Sequence, residues 1–353
     1  MFTKNTLKKI ADKFWLHSTE SPDKFFEIRK LKPFYHLVPS FEDQRINDSL
    51  TYDNTTYFHT ESVGLFKRVT IEPDFSYCLR RPRKLLTASM FYSGTIPSLP
   101  RFIKSQIRKT SYLEECVLFD GQVGNNYFHF FSDVITKIWL IRKKGLDHLP
   151  LIIQCEVYDK SYFQYIFLQT TLLKGLHFFI QQKGQYIQCN KVYLLKPLPY
   201  DPDYFQLLRK AILPQKHEKP FRKVFLNRSR TSGRYIANFK ELVPILIENG
   251  FEIIDTALLS FEEQIRFFQE TAYLVSIHGA GNTNILFAPK ELRFLEICPE
   301  NRIAGQYYWL SNSLGIEYNM ILGGKLSGLG CYPEGGFTLE PAIFERALIK
   351  LLN

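Results

Sequence analysis

Residues 273–284 read Tyr-Leu-Val-Ser-Ile-His-Gly-Ala-Gly-Asn-Thr-Asn: an apolar strand ending at Ile277, a glycine turn at Gly279–Gly281, then the polar opening of a helix. Such a turn lets backbone N–H groups approach a phosphate, and the amino end of the helix adds about half a positive charge. Two of the three glycines of a G-x-G-x-x-G fingerprint are present, with Asn284 at the third place. A dinucleotide-binding reading therefore has to be weighed, although the turn follows the third strand of its half rather than the first.

Outward from this turn, apolar runs and helical periodicity alternate. Strands are expected at 223–227, 251–255, 273–277, 293–297 and 316–322, and helices at 238–249, 260–271, from about 281, and at 303–314. Asn238 with Glu241 and Ser260 with Glu263 have capping-box spacing, and Gly250 stands where a helix ends. The pattern predicts a Rossmann-like domain over 216–336, followed by a tail helix within 337–353 that folds back on the first domain. Upstream, strands at 116–119, 149–154, 176–180 and 192–195 alternate with helices at 126–144 and 160–173, giving a second α/β domain over 1–215. The polar stretch Pro214–Pro220 separates the two halves. Residues 20–115 suggest short strands near Gly64–Tyr77 but yield no chemistry, and there is no internal repeat.

Composition narrows the classes. With 353 residues, 45% hydrophobic and 23% charged, the chain is neither disordered, collagenous nor a coiled coil. The net charge of +10 favours an anionic partner. Six widely spaced cysteines form no disulfide scaffold. No apolar run reaches the ~18 residues of a membrane span, so a cytoplasmic protein is expected, at most peripheral to the inner face of the membrane. Residues 4–15 set Leu7, Ile10 and Phe14 beside Lys4, Lys8, Lys9 and Lys13. They form either a surface helix docked on its own domain or a basic amphipathic helix on an anionic membrane.

Several residues could carry chemistry. His278 ends its strand where it could donate to a diphosphate, and Glu296 ends the next strand, where a carboxylate could accept ribose hydroxyls. Arg228, Arg230 and Arg234 follow the strand at 223–227, at the carboxyl edge where open α/β sheets bind ligands, and guanidinium forks suit diphosphate. In the first half, a helical rotation groups Asn126, His129, Asp133 and Lys137 on one face, opposite Phe128, Phe131, Ile135 and Ile138. This stripe is either the wet back of the helix or the wall of a cleft, and His129 with Asp133 at i, i+4 could share a hydrogen bond. Asp201-Pro202-Asp203 has the short D-x-D form of some metal-binding sugar transferases, but its setting before Tyr204 and Phe205 reads as a helix cap. No other metal-ligand spacing occurs, and a P-loop and a G-x-S-x-G elbow are both missing.

Together these residues resemble glycosyltransferase family 61, over about Cys116 to Pro299. The family's N-x-x-H-x-x-x-D helix matches Asn126, His129 and Asp133, and its arginine-bearing strand end matches Arg228 and Arg234, followed by Asn238. Its S-x-x-E-Q-I segment matches Ser260, Glu263, Gln264 and Ile265. Its H-G-A turn matches His278, Gly279 and Ala280, with Asn284, Phe287, Pro289 and Glu296 beyond. The resemblance implies a GT-B architecture of two Rossmann-like domains facing across a cleft, with the nucleotide-sugar in the C-terminal half and the acceptor in the N-terminal half. It also implies inverting transfer from a UDP-sugar without metal or other cofactor, to a glycan or lipid-linked glycan in surface polysaccharide synthesis. Arg228, Arg234, His278, Gly279, Ala280, Gly281, Asn284 and Glu296 would then hold the donor. His129 or Asp133, supported by Asn126, would act as base, and the sequence does not decide between them.

Two other readings make different demands. An NAD(P)-dependent oxidoreductase would use the same glycine turn and Glu296. A nucleic-acid or polyanion-binding protein would use the +10 charge, but would interleave its basic residues with aromatics along one face. Here the ordered arginines sit at one strand end, so no nucleic-acid partner is expected.

Overall fold

The computed structural model describes residues 16–18, 22–31, 41–55, 59–80, 84–89, 111–213, 219–228, 233–328 and 335–353. The expected helix at 4–15, most of the Pro214–Pro220 boundary, and Arg230 lie outside the described residues.

The chain forms two compact units, residues 1–31 with 59–199 and residues 32–58 with 200–353. This differs from the expected division at 215/216 in two ways. The helix Pro202–Ile212 belongs to the second unit. So does the helix Gln44–Thr55, whose Ile46 and Leu50 pack into a cluster with Cys298, Tyr308, Trp309 and Met320. Arg45 meets Glu300 at 2.8 Å on the same unit.

The first unit is built on a mixed sheet. Its described strands are β1 (Leu16–Ser18), β2 (Lys24–Leu31), β3 (His59–Ile71), β4 (Cys78–Arg80), β5 (Lys84–Leu86), β6 (Ser111–Leu118), β7 (Pro150–Gln154), β8 (His177–Gln181) and β9 (Ile187–Lys196). They lie in the order β1-β5-β4-β3-β9-β6-β7-β8, with β2 pairing β3. Only β9, β6, β7 and β8 form the parallel run that the alternation predicted, whereas β3 is antiparallel to β2, β4 and β9. The unit therefore departs from a purely Rossmann-like sheet. The 13-residue β3 was not legible as one strand because its longest ladder is with β9, far along the chain, and only its last residues pair with the nearby β4.

The second unit carries strands β10 (Arg222–Leu226), β12 (Glu252–Ile254), β13 (Thr271–Ile277), β14 (Arg293–Pro299) and β15 (Glu317–Gly323), with a small parallel pair β11 (Arg234–Ile236) and β16 (Gly335–Phe337). The five strands pair in parallel in the order β12-β10-β13-β14-β15, the doubly wound arrangement that the sequence predicted for this half. Helices Phe239–Glu248 and Phe261–Gln269 flank it. Ser260 completes its capping box with Glu263, and Gly250 has φ +75° at the end of its helix. Asn238 makes no cap; its side chain instead ties to the backbone N–H and C=O of Leu339. The tail helix Pro341–Leu352 buries Phe344, Leu348 and Leu351 in the core with Phe225, Leu242 and Val275, so it packs on its own unit rather than on the first.

Among the described residues no helix is long and apolar enough to cross a membrane.

Candidate functional site

In an open parallel sheet, ligands bind outside the carboxyl ends of the strands where the strand order reverses. In the second unit that point lies between β10 and β13. Arg228 follows β10 and His278 follows β13, and the two meet, with Arg228 Nη1 donating to the His278 carbonyl at 2.8 Å. Gly279 is what permits this. Its backbone is extended, which any residue could adopt, but a Cβ there would overlap Arg228 Nη1 and lie 2.8 Å from its Cζ. Beyond it, residues Ala280–Phe287 wind as a 3-10 helix rather than the expected α-helix, opening with Gly281 packed under Thr256 and Leu226.

His278 is nearly buried. Its Nδ1 lies 2.7 Å from Glu296 Oε1, and its ring meets Tyr307 edge-on. Glu296 is fully buried and both its oxygens are engaged. Oε1 also accepts from Asn282 Nδ2 at 3.1 Å, and Oε2 accepts the Tyr318 hydroxyl. The carboxylate thus cannot serve ribose hydroxyls as the sequence suggested; it fixes the proton on His278 Nδ1 and leaves Nε2 for another partner. The cause is strand register, since β14 pairs Glu296 with Ser276 directly below the turn. Asn284 is also buried and donates to Gln264 Oε1 at 2.9 Å, clamping the turn to the helix Phe261–Gln269 rather than facing a ligand.

Arg234, on β11, lies close enough to Arg228 and Arg302 to be repelled by both. Burial first, and these two cations second, push its guanidinium down to about 10. Its buried Nε has no hydrogen-bond acceptor among the described residues. Arg302, which follows β14, was not picked out from the sequence, although its place just past a strand end was the available signal. Three guanidinium groups gathered with a backbone turn make a site of positive potential that a dianion would relieve.

Among the described residues, His278, Glu296 and Cys298 offer ligand atoms within 4.8 Å of one another. They suit a cation poorly. Glu296 already spends both oxygens, burial holds the Cys298 thiol protonated, and Arg234 and Arg302 add positive charge beside it. Asp201 accepts from the backbone N–H groups of Asp203 and Tyr204, the cap that its setting suggested.

In the first unit, the loop after β6 leads to Asn126, whose side chain accepts from the Phe128 and His129 N–H groups at 3.0 and 3.3 Å. The expected continuous helix is broken into Tyr127–His129, a π-turn over Phe130–Val134, and Lys137–Lys143. The Ile135 N–H reaches back five residues to Phe130 O at 2.9 Å. His129 Nδ1 lies 2.9 Å from Asp133 Oδ2, and Ser132 Oγ donates to the same oxygen. Both side chains keep some exposure, 17% and 29%.

The π-turn takes Lys137 out of the stripe. Its ammonium end turns inward to donate to Phe119 O at 2.6 Å, and burial lowers it to about 8 despite Asp120 and Asp133 nearby. Asp120, just past β6, is buried. It accepts from the Gly121 and Gln154 N–H groups at 2.6 and 2.7 Å, while burial pushes its carboxyl up to about 6. Neither Asp120 nor this role of Lys137 was visible in the sequence, because a uniform 100° rotation was assumed through the π-turn.

A comparison with curated proteins found no match. Residues 127–295 match the family model described as Glycosyltransferase 61. The matched span takes in His129 and Asp133 of the first unit and Arg228, Arg234 and the His278 turn of the second, so over residues 127–295 the chain is similar to glycosyltransferase family 61.

Proposed function

We propose that the protein is an inverting glycosyltransferase of GT-B type, working without a metal. It would move a sugar from a UDP-sugar to a glycan or lipid-linked glycan acceptor in surface polysaccharide synthesis. The observation that carries this reading is the gathering of Arg228, Arg234 and Arg302 at the switch point of the second unit, against the turn that His278 opens. In inverting transfer the acceptor oxygen attacks the anomeric carbon while the bond from that carbon to the diphosphate oxygen breaks, so charge develops on the departing UDP. The guanidinium groups and the Gly279–Gly281 backbone take up that charge. Glu296 holds the His278 ring in place through the contact between Nδ1 and Oε1, at the mouth of the turn that meets the diphosphate.

The base takes the proton of the acceptor hydroxyl. His129 suits this, because the hydrogen bond between its Nδ1 and Asp133 Oδ2 holds the imidazole in one orientation. Asp133 orients the ring, and Asn126 fixes the turn that carries it. A metal is not needed in this scheme, since the cationic side chains occupy the role it would fill.

The test is release of UDP from a panel of UDP-sugars by the purified protein, with excess chelator present. Activity should persist under chelator. His129→Ala should lower transfer by ~10² to 10⁴-fold, the usual contribution of a general base, with UDP affinity within about threefold. Adding Asp133→Asn should cost little more, because the two groups act as a unit. Loss of transfer under chelator with recovery by Mn²⁺, or near-normal turnover in both single variants, would overturn this assignment.

A further inference from the structure

A positively charged cavity lies wholly within the first unit, formed by β3 to β6 and β9 with Asp23 just before β2. Its volume is about 630 Å³. Four cations line it, Lys67, Arg68, Arg80 and Lys84, against one carboxylate, Asp23. That carboxylate is already spent. Asp23 Oδ2 accepts the Lys67 backbone N–H at 2.7 Å and the Arg80 guanidinium, while Arg80 Nε donates to Lys67 O at 2.9 Å. Arg80 is thereby held as a fixed wall. The side chains of Lys67 and Arg68 are exposed and have no acidic partner among the described residues. Of the acids on β6, Glu114 accepts from Tyr112 Oη at 2.7 Å and Asn190 Nδ2 at 2.6 Å, and Glu115 accepts from Lys191 Nζ.

An independent observation marks the same place. Arg68 has φ +54° in the middle of β3, although the register with β9 is unbroken on either side, Lys67 opposite Lys191 and Val69 opposite Cys189. A left-handed backbone at a non-glycine residue inside a strand is strained, and such strain collects at binding sites. It serves no turn here. Beside the cations, Tyr112 presents a largely exposed ring, and Thr70, Gln188 and Asn190 add neutral hydrogen-bonding groups.

We propose that this cavity binds an acidic oligosaccharide, with the carboxylate or phosphate of one sugar on Lys67 and Arg68 and a neighbouring ring against Tyr112. Guanidinium and ammonium groups supply charge-assisted hydrogen bonds to the anion, and an aromatic face suits the C–H side of a sugar. A concave pocket with neutral donors fits an oligosaccharide better than a flat lipid surface. That this ligand is the acceptor rests on the transferase reading; that it binds does not.

The experiment is fluorescence anisotropy with labelled tetragalacturonate and a phosphodiester-linked oligosaccharide, using maltotetraose as the neutral control and phosphatidylglycerol vesicles as the membrane control. At least one acidic probe should bind in a salt-sensitive way, with the neutral probe at least tenfold weaker. Arg68→Gly and Lys67→Ala should each weaken acidic binding about tenfold, with UDP affinity unchanged. Arg68→Gly should also melt no lower than the parent, because glycine accepts the left-handed backbone. Binding of neither acidic probe, unchanged binding in both variants, or binding to vesicles alone would overturn the proposal. If acidic binding responds to the variants but no UDP is bound or released, the cavity stands and the transferase reading falls.

Discussion

The arrangement of Arg228 over Gly279 ties a single missing side chain to the site's chemistry. Arg228 reaches the His278 carbonyl only across the space where a Cβ at residue 279 would sit. Gly279→Ala should therefore displace the guanidinium, which is the far end of a flexible side chain, and cost little stability. Both Gly279→Ala and Arg228→Ala should weaken UDP binding in calorimetry, the latter by ~1.5 to 3 kcal/mol, the range for a hydrogen bond to a charged group. Unchanged affinity in folded variants would remove Arg228 from the site. The positions of Arg228 and His278 were readable from the sequence because a residue just past a strand of a parallel sheet has one edge to occupy, whereas Arg234 starts the separate strand β11. The role of Glu296 was not readable, since it depends on β14 lying beside β13 with Glu296 across from Ser276.

At the scale of elements, the π-turn over Phe130–Val134 separates what the sequence showed from what it hid. Asn126, His129 and Asp133 come before or within it, and the expected hydrogen bond between His129 and Asp133 forms. Lys137 comes after it and turns toward Phe119 and Asp120 instead. The pair has a pH signature. The Asp120 carboxyl is raised to about 6 from its ordinary 3.8, so its contribution to stability is fully present below about pH 4 and is lost as pH rises through 6. At about 1.4 kcal/mol per unit, the loss is roughly 3 kcal/mol. Lys137 has the opposite sense and a different window. Its contribution is present above 10.5 and is lost as pH falls through about 8, so it is constant between pH 4 and 6. Urea unfolding of the first unit should show stability falling between pH 4 and 7, and Asp120→Asn should flatten that slope. A slope that survives the substitution would place its origin elsewhere.

For the molecule as a whole, the second unit was legible almost strand by strand, because each parallel strand follows a helix that returns the chain to the same edge. The first unit was not, because half of its sheet is antiparallel and recruits strands from residues 16–86 that carry no regular period. The segment 41–55 was hidden for a related reason, its contacts being with Cys298, Tyr308 and Met320, far along the chain. The same architecture weighs on the dinucleotide reading. A nicotinamide enzyme needs a third glycine for close helix packing and a free acid for the ribose. Here Asn284 fills the first place, bonded to Gln264, and Glu296 has given both oxygens to His278, Asn282 and Tyr318. Under the proposed function the glycine turn serves phosphate recognition alone, which a nucleoside diphosphate would satisfy. A ligand that binds only the folded state stabilises it by about 2.7 kcal/mol at a hundred times its dissociation constant, roughly 5 to 10 °C for a unit of this size. UDP should shift the melting temperature by that order, and Arg234→Ala should abolish most of the shift, because its buried Nε has no acceptor among the described residues and the diphosphate would supply one. NAD at equal concentration should leave the melting curve in place, and a larger shift with NAD than with UDP would return the turn to dinucleotide chemistry.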